Sequence, residues 1–264
     1  MANETKTNKF DQSANSVFHF TDKLEYVENI LMKSRISPRY VIEDMEYLKF
    51  PLFKELAIPM SCFCDIRLHS IVKHVNFYGF FGIGFQKKWI IDHGIQPIHY
   101  LNTHSMFTND FKNELSTLLD SDFEIPDQNK DHIFKKLFYV KPLYGTMRDK
   151  NLNKTVQKNF HDENEWRFVP KIVEESNYKP FIAVGGREPI NNDNYRATLN
   201  KALSLDETMS LHFSYEDINY LFVSDDVERI KLIDFIFSEL VASEDTKRLL
   251  VSKIQTINQI KEDF

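Results

Sequence analysis

Hydrophobic positions change their period several times along this chain, and each change predicts an element. "VFHF" at 17–20 reads as a short strand. In the following "TDKLEYVENILMKSR", Leu24, Val27, Ile30 and Leu31 recur at helical spacing behind a Thr21 or Asp22 cap. "ISPRYVIEDMEYL" reads as a returning loop, because Pro38 keeps Ser37 out of the helical region. A further loop or helix covers residues 43–56. "IPMSCFCDI" predicts a buried or half-buried strand after Pro59, and "RLHSIVKHVNFYG" a helix stopped by Gly79. "FFGIGF" predicts a strand closely approached at Gly82 and Gly84. "KKWIIDHG" reads as a short helix closed by Gly94, and "IQPIHYL" as a strand.

The helical period returns over about 105–138, interrupted by the charged loop "DSDFEIPDQNKD". "FYVKPLYG" and "EWRFVPKI" read as strands, and the polar "TMRDKNLNKTVQKNFHDEN" between them as a loop or lid. "YKPFIAVGGREPINNDNY" adds a strand and a turn-rich excursion; the period over 196–213 is ambiguous. "FSYEDINYLFVSD" reads as a short helix running into a strand, and the remaining tail as two helices broken at Ser243/Glu244. This irregular alternation predicts an α+β fold, a mixed and strongly bent sheet with helices packed around it, rather than a doubly wound parallel sheet. With no repeat or linker, a single domain is expected over 16–264, with C-terminal helices from about 226 and a disordered leader over 1–15.

Composition sharpens this picture. Hydrophobic residues make up 42% and charged residues 27% of the 264, as in a soluble globular chain, and 23 phenylalanines with 11 tyrosines give the core an aromatic character. The net charge of -6 disfavours direct nucleic-acid binding through a broad basic field. The polar start lacks an apolar signal-peptide region, and no apolar run is long enough for a membrane span, so no membrane partner is expected. Two cysteines one residue apart do not make a disulfide framework; a cytoplasmic setting with reduced thiols follows.

Cys62, Cys64, His69 and His74 carry donor chemistry suited to zinc, but the spacing is poor and no knuckle glycine is present. Apolar neighbours favour structural cysteines over a metal site or a thiol nucleophile. Asp65, an acid in an apolar strand–turn, needs a partner, an arginine or backbone amides. Gly79, Gly82 and Gly84 match no phosphate loop, and Lys87 and Lys88 read as surface lysines or phosphate contacts. His19 and Thr21 share one face of a strand end, an arrangement that can hold a ribose or phosphate or simply sit in a core. In "DENEWRFVP", Glu165 and Arg167 share a face, either as a structural ion pair or as a carboxylate that stabilises an oxocarbenium-like sugar cation; Glu163 competes for that role. Arg39, Tyr40, Glu43, Tyr139 and Lys141 add polar groups near strand ends.

Taken in order, "VFHFT...LEYVENIL", "ISPRY", "IPMSCFCDI", "QPIHYL", "KPLYG", "DENEWRFVP" and "SYEDINYLFV" resemble the AbiGi family of abortive phage resistance proteins over about residues 17–225. The resemblance implies a component of a two-gene phage-defence, toxin–antitoxin system, with an antitoxin role beside a nucleotidyltransferase-like toxin. The front end also resembles, at the level of fold, ADP-ribosyltransferase-like proteins. That likeness implies NAD as cofactor, with His19 holding the ribose, Tyr40 as the middle residue and Glu165 as the catalytic glutamate. Thr21 and Tyr78 would then meet the nicotinamide side, and Arg39, Lys88 or Arg167 the pyrophosphate. No metal enters this scheme, and a compact carboxylate cluster for a nuclease is absent from the sequence pattern.

Two functions therefore stand side by side: an NAD-dependent transferase, and a non-catalytic antitoxin that caps a partner toxin and recognises a neighbouring defence protein or a phage component. The acidic balance suits a cap on a basic toxin surface.

Overall fold

The computed structural model describes residues 14–117, 127–149, 152–172 and 177–263. Most of the expected leader (1–13) and part of the charged loop (120–126) lie outside the described residues. In chain order, β1 (Ser16–Thr21) and α1 (Leu24–Lys33) precede β2 (Arg35–Ile36), β3 (Arg39–Asp44) and β4 (Glu55–Cys64). Then come α2 (Ile71–Tyr78), β5 (Phe81–Gln86), α3 (Lys87–Asp92), β6 (Gln96–Pro97) and β7 (His99–Leu101). α4 (Met106–Thr117) and α5 (Asp127–Lys136) are followed by β8 (Val140–Pro142), β9 (Tyr144–Asp149), β10 (Lys154–Asn159) and β11 (Glu165–Phe168). β12 (Ile182–Ala183), α6 (Asp193–Leu205), β13 (Leu211–His212) and β14 (Ile218–Val223) lead to α7 (Asp226–Ser238), α8 (Glu244–Ser252), β15 (Ile254–Thr256) and α9 (Ile257–Asp263). Helices and a mixed sheet together make an α+β fold, and the chain divides into two compact units.

The first unit takes the described residues up to Ser34, then Phe63–His93, then those from Phe213 onward. Its strands run in the order β15–β14–β5–β1, with β15 parallel to β14 and the other pairs antiparallel. Successive side chains of β1 point to opposite faces. Phe18 and Phe20 pack with Phe222, and the buried Ile71 and Val75 of α2 and Ile257 and Ile260 of α9 close the same core. His19 turns the other way, its ring 5.5 Å from that of Phe63, which itself meets Phe85 and Trp89. Gly79 ends α2 at φ +110, and a Cβ there would collide with the Thr21 carbonyl, so the helix stop and the close approach to β1 both require glycine.

The second unit takes Arg35–Cys62 and Gly94–His212. β3 pairs antiparallel with β4 from Arg39↔Met60 to Asp44↔Glu55, and β12 pairs with β4 at Leu56 and Ala57. Leu56, Ile58, Met60 and Cys62 face a core built with Phe111, Leu115, Leu137 and Phe138. Ala57 faces a separate core with Tyr40, Ile182, Ile190 and Leu203 of α6. Cover on both faces explains why β4 reads as an unbroken apolar run rather than an alternating one.

Four elements differ from the sequence expectation. Arg39–Asp44 is a strand, not a loop; Pro38 excludes helix but permits extension. The polar stretch taken as a lid contains the β9–β10 hairpin, in register from Tyr144↔Asn159 to Asp149↔Lys154. Its polar composition hid the alternation by which strands are recognised. Residues within 196–213 are in part helical, as α6, capped by the Asn192 side chain on the Asn194 and Tyr195 amides. The tail is not two helices alone: Ile254–Thr256 forms β15 beside β14.

Candidate functional site

The strongest concentration of chemistry lies in the second unit around β11. Alternation along this strand puts Glu165 and Arg167 on one face, and they pair: Arg167 Nε donates to Glu165 Oε1 at 2.6 Å and Nη2 to Oε2 at 3.3 Å. Nη2 of Arg167 also meets Glu43 Oε2 at 3.0 Å, and Nη1 donates to the Phe138 carbonyl at 3.0 Å. Lys141, on β8, donates from Nζ to Glu165 Oε2 and to Glu163 Oε2, both at 3.0 Å. Lys158 pairs with Glu163 Oε1 at 2.5 Å. The Glu165 amide donates to the Tyr100 hydroxyl at 2.7 Å, which fixes the strand end against β7. Three carboxylates and three cations thus interlock, and Lys141 also lies 4.5 Å over the Phe160 ring.

Burial decides what this cluster can do. Arg167 is 0% and Glu165 6% exposed. Burial disfavours the charged form of Glu165, but Arg167 and Lys141 outweigh it and hold the carboxyl well below the usual range. Burial likewise opposes the charge on Arg167, and Glu165 with Glu43 holds it fully protonated. Burial pushes the Cys62 thiol up, and the Glu165 charge pushes the same way, which favours the neutral thiol. Both oxygens of Glu165 accept from side-chain donors, Oε1 from Arg167 and Oε2 from Arg167 and Lys141.

Of the other residues singled out from the sequence, Tyr40 and Arg39 belong to the second unit and His19, Thr21, Tyr78 and Lys88 to the first. Tyr40 sits in the second unit with its hydroxyl donating to the Lys179 carbonyl at 2.8 Å and accepting from the Lys179 amide at 3.1 Å. Burial raises that hydroxyl to about 12. Three residues along β3, Glu43 reaches Arg167, so Tyr40 and the Glu165 cluster occupy opposite faces of the strand. Arg39 is exposed beside it. In the first unit the Thr21 hydroxyl donates to the Lys23 carbonyl at 3.2 Å and caps no amide; Lys23 holds the cap position of α1. Tyr78 stacks on His74 at 4.4 Å, and His74 meets Phe20, so Tyr78 lies on the face of β1 away from His19. Lys88 is exposed and pairs with Asp92.

Asp65 has its partner in Lys87 Nζ at 2.5 Å, a lysine where an arginine or amides were expected. Lys87 is 2% exposed and so is not a surface lysine; burial still raises the Asp65 carboxyl against the pull of Lys87. Sequence reading missed Lys158 and Tyr100 altogether and left Lys141 and Glu43 outside the site. A lysine between Val140 and Pro142 on an apolar strand was the available signal for Lys141. Among the described residues no group of three or more His, Cys, Asp and Glu could hold a metal ion, and no helix is long and apolar enough to cross a membrane.

A second feature of this unit is a cavity of about 680 Å³ against α4. Phe107, Phe111, Tyr139 and Val140 supply its apolar lining, and Glu114 with Lys136, paired at 2.6 Å, lies among the polar lining residues. Met106 and Phe107 are exposed on the first turn of α4. Its volume lies in the range of small-molecule pockets, and Gln96, His99 and Asp110 stand with these residues in its lining.

Residues 34–224 match the family model described as "Putative abortive phage resistance protein AbiGi, antitoxin". A relative from Lactococcus lactis subsp. cremoris, described as "Abortive phage resistance protein AbiGi", is 38% identical over 249 residues, covering 86% of this chain and 98% of that protein. No solved structure matches the chain. With the family model spanning most of its length and a relative this similar, the chain belongs to the AbiGi family of abortive phage resistance proteins.

Proposed function

We propose that this chain acts in phage defence as an antitoxin, a non-catalytic protein that binds and restrains a partner toxin, and not by ADP-ribosyl transfer. The observation that carries the reading is the state of Glu165: buried, with both oxygens accepting from Arg167 and Lys141. A glutamate that stabilises an oxocarbenium-like ribosyl centre needs its charge aimed at an open site where the sugar enters. Here two cations already neutralise that charge, and a sugar would have to displace them. The antitoxin description of the family model supports the same reading.

The test is co-expression with the product of the adjacent gene. Growth restored by the wild-type chain, with both proteins co-eluting on size exclusion, is the expected result. Calorimetric titration with NAD should show no heat of binding. NAD binding that is lost in Glu165→Gln, together with label transfer from NAD to lysate protein, would overturn the proposal in favour of the transferase.

A further inference from the structure

The cavity against α4 takes no part in the charged cluster of β11 and has no role yet. Phe107, Asp110, Phe111 and Glu114 of its lining recur at helical spacing and so share one face of α4. His99 pairs with Val140 across the parallel strands β7 and β8, which brings both into one wall. Phe111 and Val140 are buried and belong to the core that holds Leu137 and Phe138, so the base of the cavity is packed in advance of any guest. Phe107, 62% exposed, and the exposed Asp110 stand where the lining meets solvent.

The charges of this lining do not cancel. Lys136 is already engaged by Glu114, whereas Asp110 makes no ion pair or hydrogen bond among the described residues. A purely apolar guest would strip water from that carboxylate and return nothing, and an anionic guest would meet it as a like charge. A guest with one ammonium or amidinium group on an apolar body answers both halves of the lining. Its body covers Phe107, Phe111 and Tyr139, and its cation meets Asp110 beside aromatic rings.

We propose that this cavity is a binding site for a small organic cation, a molecule with an aromatic or aliphatic body and a single positive group held by Asp110. The proposal goes beyond the antitoxin reading and does not rest on it.

The probe is tryptamine, one ammonium on an indole body, titrated into the full chain by calorimetry. Indole-3-propionate, an anion on the same ring, is its companion. Wild type should bind tryptamine with a Kd below about 1 mM, and about tenfold or more tighter than the propionate. Asp110→Asn should bring the two probes to within about threefold of each other, and Phe107→Ala should weaken both. Both positions are exposed, so folding is not at stake, and circular dichroism checks it. Asp245→Asn removes an equal charge from an exposed position in the first unit and should leave the preference unchanged. Absence of tryptamine binding, equal affinity for the two probes, or a preference that survives Asp110→Asn overturns the site. So does a preference lost equally in Asp245→Asn, which would mark a general attraction of cations to an acidic chain. Toxin co-elution and rescue are read separately, so their failure removes the antitoxin reading and leaves the tryptamine result standing.

Discussion

Arg167 and Glu165 stand two residues apart on β11 with their side chains locked together, Nε to Oε1 at 2.6 Å, and the arginine bridges onward to Glu43 at 3.0 Å. One fully buried cation therefore serves two carboxylates. Arg167→Met would leave Glu165 with Lys141 alone and strip Glu43 of its bond to Arg167. The expected cost is about 3–5 kcal/mol of stability, measured by urea unfolding at neutral pH. A loss below about 1 kcal/mol would show that the cluster contributes little to the fold.

The same cluster sets an acid dependence. The Glu165 carboxyl in the folded chain lies below its ordinary value of about 4.3, so the fold favours the ionised form. Its stabilisation is complete above that ordinary value and is lost as pH falls from there toward the folded value. Unfolding free energy should therefore drop on acidification below about pH 4, with a shallower drop in Glu165→Gln. Parallel acid profiles for the two proteins would remove Glu165 as a source of the dependence.

Cys62 and Cys64 pack in separate cores, the first beside Phe138 and the second beside Phe18. Burial keeps the Cys62 sulfur protonated. Both thiols should react slowly with a chromogenic disulfide reagent in the native chain and at once in urea. Rapid native labelling of either would contradict its placement.

Gly79→Ala places a methyl group against the Thr21 carbonyl at a backbone conformation that alanine avoids. The expected loss is about 1–3 kcal/mol, read as a lower thermal midpoint. Gly94→Ala offers a comparison: its φ of +65 carries backbone strain, but nothing lies within 4 Å of the added carbon. A smaller loss there would separate the contact from the strain.

Local patterns in the sequence reached local structure and stopped there. The shared face of Glu165 and Arg167 follows from strand alternation, and Gly79 marks the end of α2 as its position suggested. Whether that carboxylate meets solvent or Lys141 depends on strands brought together from 24 residues away, and on Glu43 from far earlier in the chain. Lys87 and Lys88 are adjacent and look alike in sequence, yet one is buried on Asp65 and the other exposed with Asp92, a difference set by helix rotation. β15 escaped notice because "IQTINQI" satisfies a helical period while its pairing partner lies beyond two intervening helices.

The division of the chain has a consequence for synthesis. The polypeptide crosses between its two units at 34/35, 62/63, 93/94 and 212/213, and β4 belongs to both. The second unit has all its residues once His212 has left the ribosome, whereas the first waits for β14, β15 and the helices around them. A chain terminated just after His212 thus contains every residue of the charged cluster around β11 and lacks the whole of α7.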